Sequence, residues 1–211
     1  MPPVIRRLFF VIFSLPGMFV SPLSLAMDNS APVESVLEKR HRNVVLQQWE
    51  LSCAAAALAT VLRYQHGLPV TERSVALGLI NRPEYIDDPK LVRLRQGFSL
   101  LDMKRLTGRL GYAGIGLGQL SFEDLLQRAP VILPINTHGY PHFVVFRGAT
   151  AGYVLLADPA FGNVTLSIDR FLASWIDYRD IGHVGFIVTQ NGQVSSSGRL
   201  RARLSEFPLI R

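Results

Sequence analysis

The chain has 211 residues, 48% hydrophobic and 18% charged, with 22 basic and 16 acidic side chains for a net charge of +6. That length fits one domain with tails, and that apolar content excludes a disordered chain and allows a sizeable core. The basic residues are scattered, with no Lys/Arg run interleaved with aromatics, so nucleic acid is not an expected partner.

In chain order, Arg6 and Arg7 come first, Leu8–Val20 is an apolar run of 13 residues, and Ser24 and Ala26 are small residues placed ahead of a cut. These are the three regions of a secretory signal peptide, expected over residues 1–26, so an exported, periplasmic protein is expected. As a helix the apolar run would reach only about 20 Å, short of the roughly 30 Å hydrocarbon core. Membrane contact is therefore expected only through this segment, if it stays uncleaved. Residues 27–43 read as a loose, polar lead-in of mixed charge.

A single folded body is expected over residues 44–189. From Cys53 the run "CAAAALATVLRYQHG" is rich in helix formers and stops at Gly67, which predicts a buried helix with Ser52 at its N-cap. Thr71–Ile80 reads as a second helix. Residues 81–96, with Pro83, Asp87, Asp88 and Pro89, read as a loop with a short helical turn. Ser99–Leu110 is a third helix, with Ser99 and Asp102 as a capping box, and Ser121 with Asp124 opens a shorter one to Arg128. Val131–Asn136, His142–Phe146, Tyr153–Ala157 and Val184–Thr189 read as strands, with a helical turn at Asp169–Trp175. Helices first and strands later predict an α+β fold. Residues 190–211 hold a serine run and four arginines and read as a basic, mobile tail.

Cys53 is the single cysteine. An exported protein usually pairs its cysteines or has none. An odd one points to an intermolecular bond or a reactive thiol, the alternative being a buried, inert side chain. The first turn of a helix lowers a thiol pKa, and the thiolate is the nucleophile.

A nucleophile needs a base and a group to orient it. His41 lies in the lead-in and His66 at the far end of the cysteine's helix, so neither returns easily to the helix start. His183 precedes the last strand, and His138 sits in a Gly/Pro turn. His142 opens a strand and is the favoured base. Asp158 closes the next strand, ahead of Pro159. A hairpin turning at 149–152 would bring His142 and Asp158 together. Gln47, six residues before Cys53, can donate to an oxyanion with the Cys53 N–H; Gln48 has the same chemistry. His138 and His142 are four apart, as on a zinc-binding helix, but Gly139 and Pro141 between them oppose a helix. No metal or cofactor is expected.

Gln47 through Cys53 into an alanine-rich helix, then "HFVVF", then "ADPAFG", resembles the papain-like bacteriocin-processing peptidases, which cleave leader peptides after a double glycine. The stretch "FSLLDMKRLTGRLGY" (Phe98–Tyr112) looks like the stand-alone, exported branch of that family, which includes a peptidase associated with functional-amyloid secretion. The resemblance covers roughly Val44–Val188. It implies a papain-like fold, a helical half carrying the cysteine against an antiparallel sheet. It also implies Cys53 as nucleophile, His142 as general base and acid, Asp158 as its orienter and Gln47 as oxyanion donor. The implied partner is a polypeptide substrate, a component of a secretion or fibre-assembly system. One position departs from the pattern: the family usually has glycine after the cysteine, and this chain has Ala54, whose methyl is expected to crowd the substrate or the oxyanion site. Two alternatives stand beside hydrolysis. One is a non-catalytic module of the same fold that binds a leader or secretion partner. The other is acyl transfer to an amine.

Overall fold

The computed structural model describes residues 34–137, 139–190 and 200–207. The expected targeting segment and His138 lie outside them. The lead-in differs from expectation: Val36–His41 is a helix (α1). Ser35 and Glu38 form its capping box, at 2.7 and 3.1 Å, and Lys39, Arg40 and His41 sit in its last turn, where the helix dipole favours positive charge.

Helix α2, Cys53–Thr60, is buried along its whole length and continues as a π-helical turn over Val61–Gln65. It stops at Gly67, whose φ of +75° suits glycine. Helix α3 spans Glu72–Ile80, and two short helices, α4 (Pro83–Asp87) and α5 (Lys90–Leu94), stand where a loop with one short helical turn was expected. Helices α6 (Leu100–Arg109) and α7 (Phe122–Arg128) start at the boxes formed by Ser99 with Asp102 and Ser121 with Asp124.

Among the described residues the main sheet has six strands, all antiparallel: β1 (Ala113–Leu117), β2 (Val131–Thr137), β3 (Tyr140–Thr150), β4 (Tyr153–Asp158), β5 (Gly162–Ser167) and, after helix α8 (Ile168–Ser174), β8 (Gly185–Thr189). Their order is β1-β8-β2-β3-β4-β5. A separate small hairpin pairs β6 (Asp177–Tyr178) with β7 (Gly182–His183). Strands β1 and β5 are not legible in the sequence, because "AGIGL" and "GNVTLS" carry glycine and polar residues instead of an apolar run.

The central strands read as unbroken apolar runs because both faces are covered. On one face Ile132, Val145, Ala157 and Phe186 pack with Leu58, Leu62, Leu79 and Met103 from α2, its π turn, α3 and α6. On the other, Leu133, Val144, Phe146 and Leu156 pack with Leu125 of α7 and Phe171 of α8. Alternate residues of β3 thus serve opposite cores.

Strand β3 carries one extra residue. Pairing runs Thr150↔Tyr153 to Gly148↔Leu155, then shifts to Phe146↔Leu156 and Val145↔Ala157, leaving Arg147 as a bulge. Gly148 beside it has φ +151°.

The C-terminal segment also differs from expectation. Within the stretch read as a mobile tail, Leu200, Glu206 and Phe207 are buried. Arg147 explains this: fully buried itself, it donates from Nε to the Leu200 carbonyl at 2.9 Å and from Nη2 to the Glu206 carboxylate. A buried cation requires partners, and this segment supplies them.

Candidate active site

Cys53 is the first residue of α2, as expected, and is buried and unpaired among the described residues. Ser52 occupies the N-cap position but makes no capping bond. Its hydroxyl instead shares its one hydrogen between the Trp49 carbonyl, at 2.7 Å, and the Glu72 carboxylate. Glu72, from the first turn of α3, also accepts the Gln48 N–H at 2.8 Å, so one buried carboxylate ties down the turn that leads into the cysteine. Sequence reading missed Glu72, since an acid in the first turn of a helix is ordinary there and nothing local marks it as buried.

His142 and Asp158 meet. His142 Nε2 lies 2.9 Å from Asp158 Oδ2, with both side chains buried. The carboxylate only accepts, so Nε2 carries the hydrogen. The other nitrogen, Nδ1, lies 3.2 Å from the Tyr140 carbonyl, and the Tyr140 ring stacks on the imidazole at 5.1 Å. Asp158 is held in turn by the Ala160 and Phe161 N–H groups, at 2.8 and 3.3 Å to Oδ1. Two other histidines serve elsewhere. His66 reaches the Val188 carbonyl at 3.2 Å, and His183 stacks on Trp175 at 4.3 Å.

Cys53 and His142 line one cleft of about 390 Å³. Its walls are mostly apolar and include Phe98, Leu100, Ile176, Tyr178, Ile181 and Val184. Arg95 brings the one permanent charge among the lining residues. The loop it begins turns sharply, with Gln96 at φ +56° and Gly97 at φ +117°. Gly97 abuts the Leu51 carbonyl, which a Cβ would approach at 3.2 Å, so the loop packs against the turn before the cysteine.

Electrostatics divide the pair. Burial pushes the Cys53 thiol above its usual value, and the Asp158 charge adds to that, while backbone N–H groups of Phe143, Ala54 and Cys53 oppose it. The sequence led us to expect a thiol lowered by the helix start; desolvation outweighs the N–H groups because α2 is buried throughout. For His142, burial works downward, but the hydrogen bond and charge of Asp158, helped by the Tyr140 carbonyl, raise it on balance.

Gln47 lies close by in backbone: its N–H donates to the Pro159 carbonyl at 2.8 Å, joining the pre-cysteine segment to the loop after Asp158. Its side chain does not line the cleft; Nε2 reaches the Trp49 carbonyl at 3.3 Å. Gln48 is exposed. The Ala54 side chain is fully buried in the core between α2 and the sheet and does not line the cleft, so its methyl does not crowd the site as expected. No metal-binding cluster of His, Cys, Asp and Glu occurs among the described residues.

The peptidase C39 family model matches residues 41–179. The chain is 42% identical over 144 residues to the probable functional amyloid protease FapD of Pseudomonas fluorescens, covering 68% of this chain and 61% of that protein. It is 37% identical over 145 residues to FapD of Pseudomonas aeruginosa, with the same coverage. The chain therefore spans less than two thirds of the length of either relative. Among solved structures, a double glycine motif protease from an AMS/PCAT transporter, crystallised with the leader peptide, superposes with a TM-score of 0.54 at 25% identity, covering 70% of this chain and 91% of that one. The peptidase domain of Streptococcus ComA, a bifunctional ABC transporter, gives 0.54 at 15% identity, with 72% and 100% covered, and shows the shared fold. With the family model matching from α1 into β6, and the helices set against the sheet as in these domains, the chain belongs to the peptidase C39 family and has its papain-like α+β fold.

Proposed function

We propose that this chain is a periplasmic cysteine endopeptidase that cleaves an exported polypeptide or its leader through Cys53, His142 and Asp158, with a preference for a double glycine before the cut. The observation that carries this reading is the Asp158-bound imidazole of His142 lining the same cleft as Cys53 at the start of α2. The relatives' names supply the substrate class: a component of a functional-amyloid or secretion system.

In this mechanism the Cys53 proton passes to His142 Nδ1, and the sulfur attacks the peptide carbonyl to give a tetrahedral oxyanion. The Cys53 N–H and the Gln47 amide stabilise that charge. Collapse expels the amine, which takes the proton back from His142 and leaves a thioester. Water, deprotonated by His142, then hydrolyses the thioester and frees the thiol. Asp158 keeps Nε2 protonated and the ring oriented throughout.

A second reading has its own support. The Gln47 amide reaches the Trp49 carbonyl rather than the cleft, and burial alone would leave the thiol inert, which suits a non-catalytic module that binds a leader. Iodoacetamide labelling across pH separates the two. For a peptidase, Cys53 alkylates below neutral pH and His142→Ala abolishes that limb. A thiol that reacts only above about pH 8, with or without His142, supports the binding module.

A further inference from the structure

His142 and Asp158 share a face of the sheet only because β3 contains an extra residue. Past the bulge the register places Val145 opposite Ala157, so the next position, Val144, faces Asp158. His142 is two residues further along, on the same side and on the diagonal that long side chains bridge. Continuing the pairing of the hairpin end, Thr150↔Tyr153 through Gly148↔Leu155, would put Val145 opposite Asp158. His142 would then lie three residues away and point to the opposite face. The extra residue is Arg147, and its side chain is locked. Nη1 donates to Asn163 Oδ1 at 3.0 Å, Nε to the Leu200 carbonyl at 2.9 Å and Nη2 to Glu206. The Phe207 ring covers the guanidinium at 5.2 Å. Glu206 is itself fixed by Asn43 Nδ2 at 2.9 Å. A bulge is a conformational choice, and this one is held by partners that come largely from beyond the residues matched to the family.

We propose that Arg147 is a positioning residue for the His142–Asp158 pair, and that Leu200–Phe207 is a strap whose Glu206 latches the bulge in the register that pair requires. The inference rests on the peptidase reading only for its consequence in catalysis. The geometry it asserts belongs to His142 whether or not Cys53 is active.

The experiment uses the full chain with Glu206→Ala, Glu206→Gln and Phe207→Ala. The imidazole of His142 is titrated by NMR, and Cys53 alkylation by iodoacetamide is followed against pH on the same samples. The charged and titratable groups around His142, namely Asp158 and Tyr140 in contact with it and Cys53, Arg95 and Tyr178 lining the same cleft, are unchanged in all three. Glu206→Ala should drop the His142 titration by about one pH unit and slow alkylation near pH 6 about tenfold. Glu206→Gln, which keeps an acceptor for Arg147, should restore most of both. If Glu206→Ala does not fold, Phe207→Ala, which leaves the charges in place, should give a smaller shift in the same direction. A folded Glu206→Ala or Phe207→Ala with an unchanged His142 titration overturns the inference. A shifted titration in a protein whose Cys53 never reacts below neutral pH upholds the latch and sinks the peptidase reading instead.

Discussion

The Ser52 hydroxyl donates to the Glu72 carboxylate, linking the residue before the nucleophile to the first turn of the neighbouring helix α3. The same oxygen accepts the Gln48 N–H at 2.8 Å, so the whole Gln48–Ser52 turn hangs on one buried acid. A serine at this position would ordinarily cap its own helix. Here it is drawn away, and the first N–H groups of α2 keep no side-chain cap from it.

Glu72→Ala leaves the Ser52 hydroxyl and the Gln48 N–H without their shared acceptor. Stability should fall by about 1–3 kcal/mol in urea unfolding. Glu72→Gln, which still offers an oxygen, should lose less. Cys53 alkylation in Glu72→Ala should slow even where the protein is fully folded, because the turn that sets the sulfur is loosened.

Asp158→Asn removes the charge that raises His142 and leaves burial opposed mainly by the Tyr140 carbonyl. A base whose folded pKa is raised adds stability that is fully present below its unfolded value, about 6.5, and lost as pH rises through the folded value. The stability gap between wild type and Asp158→Asn should therefore be widest in mildly acidic buffer and narrow toward pH 8. Urea unfolding at both ends checks the sign; a gap that widens with pH would contradict the assigned direction.

Ala54→Gly restores the family's usual residue after the cysteine. Because the methyl packs in the core, the variant should lose roughly 0.5–1 kcal/mol and leave the rate of Cys53 alkylation unchanged. A marked gain in rate would mean that the methyl does reach the site.

Gly162→Ala tests the support of Asp158. Gly162 opens β5 opposite Asp158 at φ +80°, and a Cβ there would collide with the Arg40 carbonyl near the end of α1. The variant should be destabilised by more than about 1 kcal/mol, as expected for a side chain forced into a left-handed position. Calorimetric melting of the two proteins side by side decides it.

Taken by itself, the sequence determined the local elements whose signals are local. Capping boxes at Ser99 and Ser121 announced their helices, apolar runs announced β2, β3, β4 and β8, and Cys53 stood at a helix start. It also placed His142 and Asp158 at the open ends of one hairpin. It failed where the deciding contacts lie far apart in the chain. Strand β1 exists because β8 offers it a partner, Ala113 opposite Thr189. Residues 200–207 are ordered because Arg147, buried on β3, needs their carbonyl and carboxylate. The raised thiol follows from burial of α2 against the sheet, which overrides the helix-start effect that the sequence suggests. Most telling is the bulge at Arg147: the sequence fits a regular hairpin equally well, and that hairpin would set His142 and Asp158 on opposite faces. Register has a period of two, so one residue added by long-range partners decides what no local preference can.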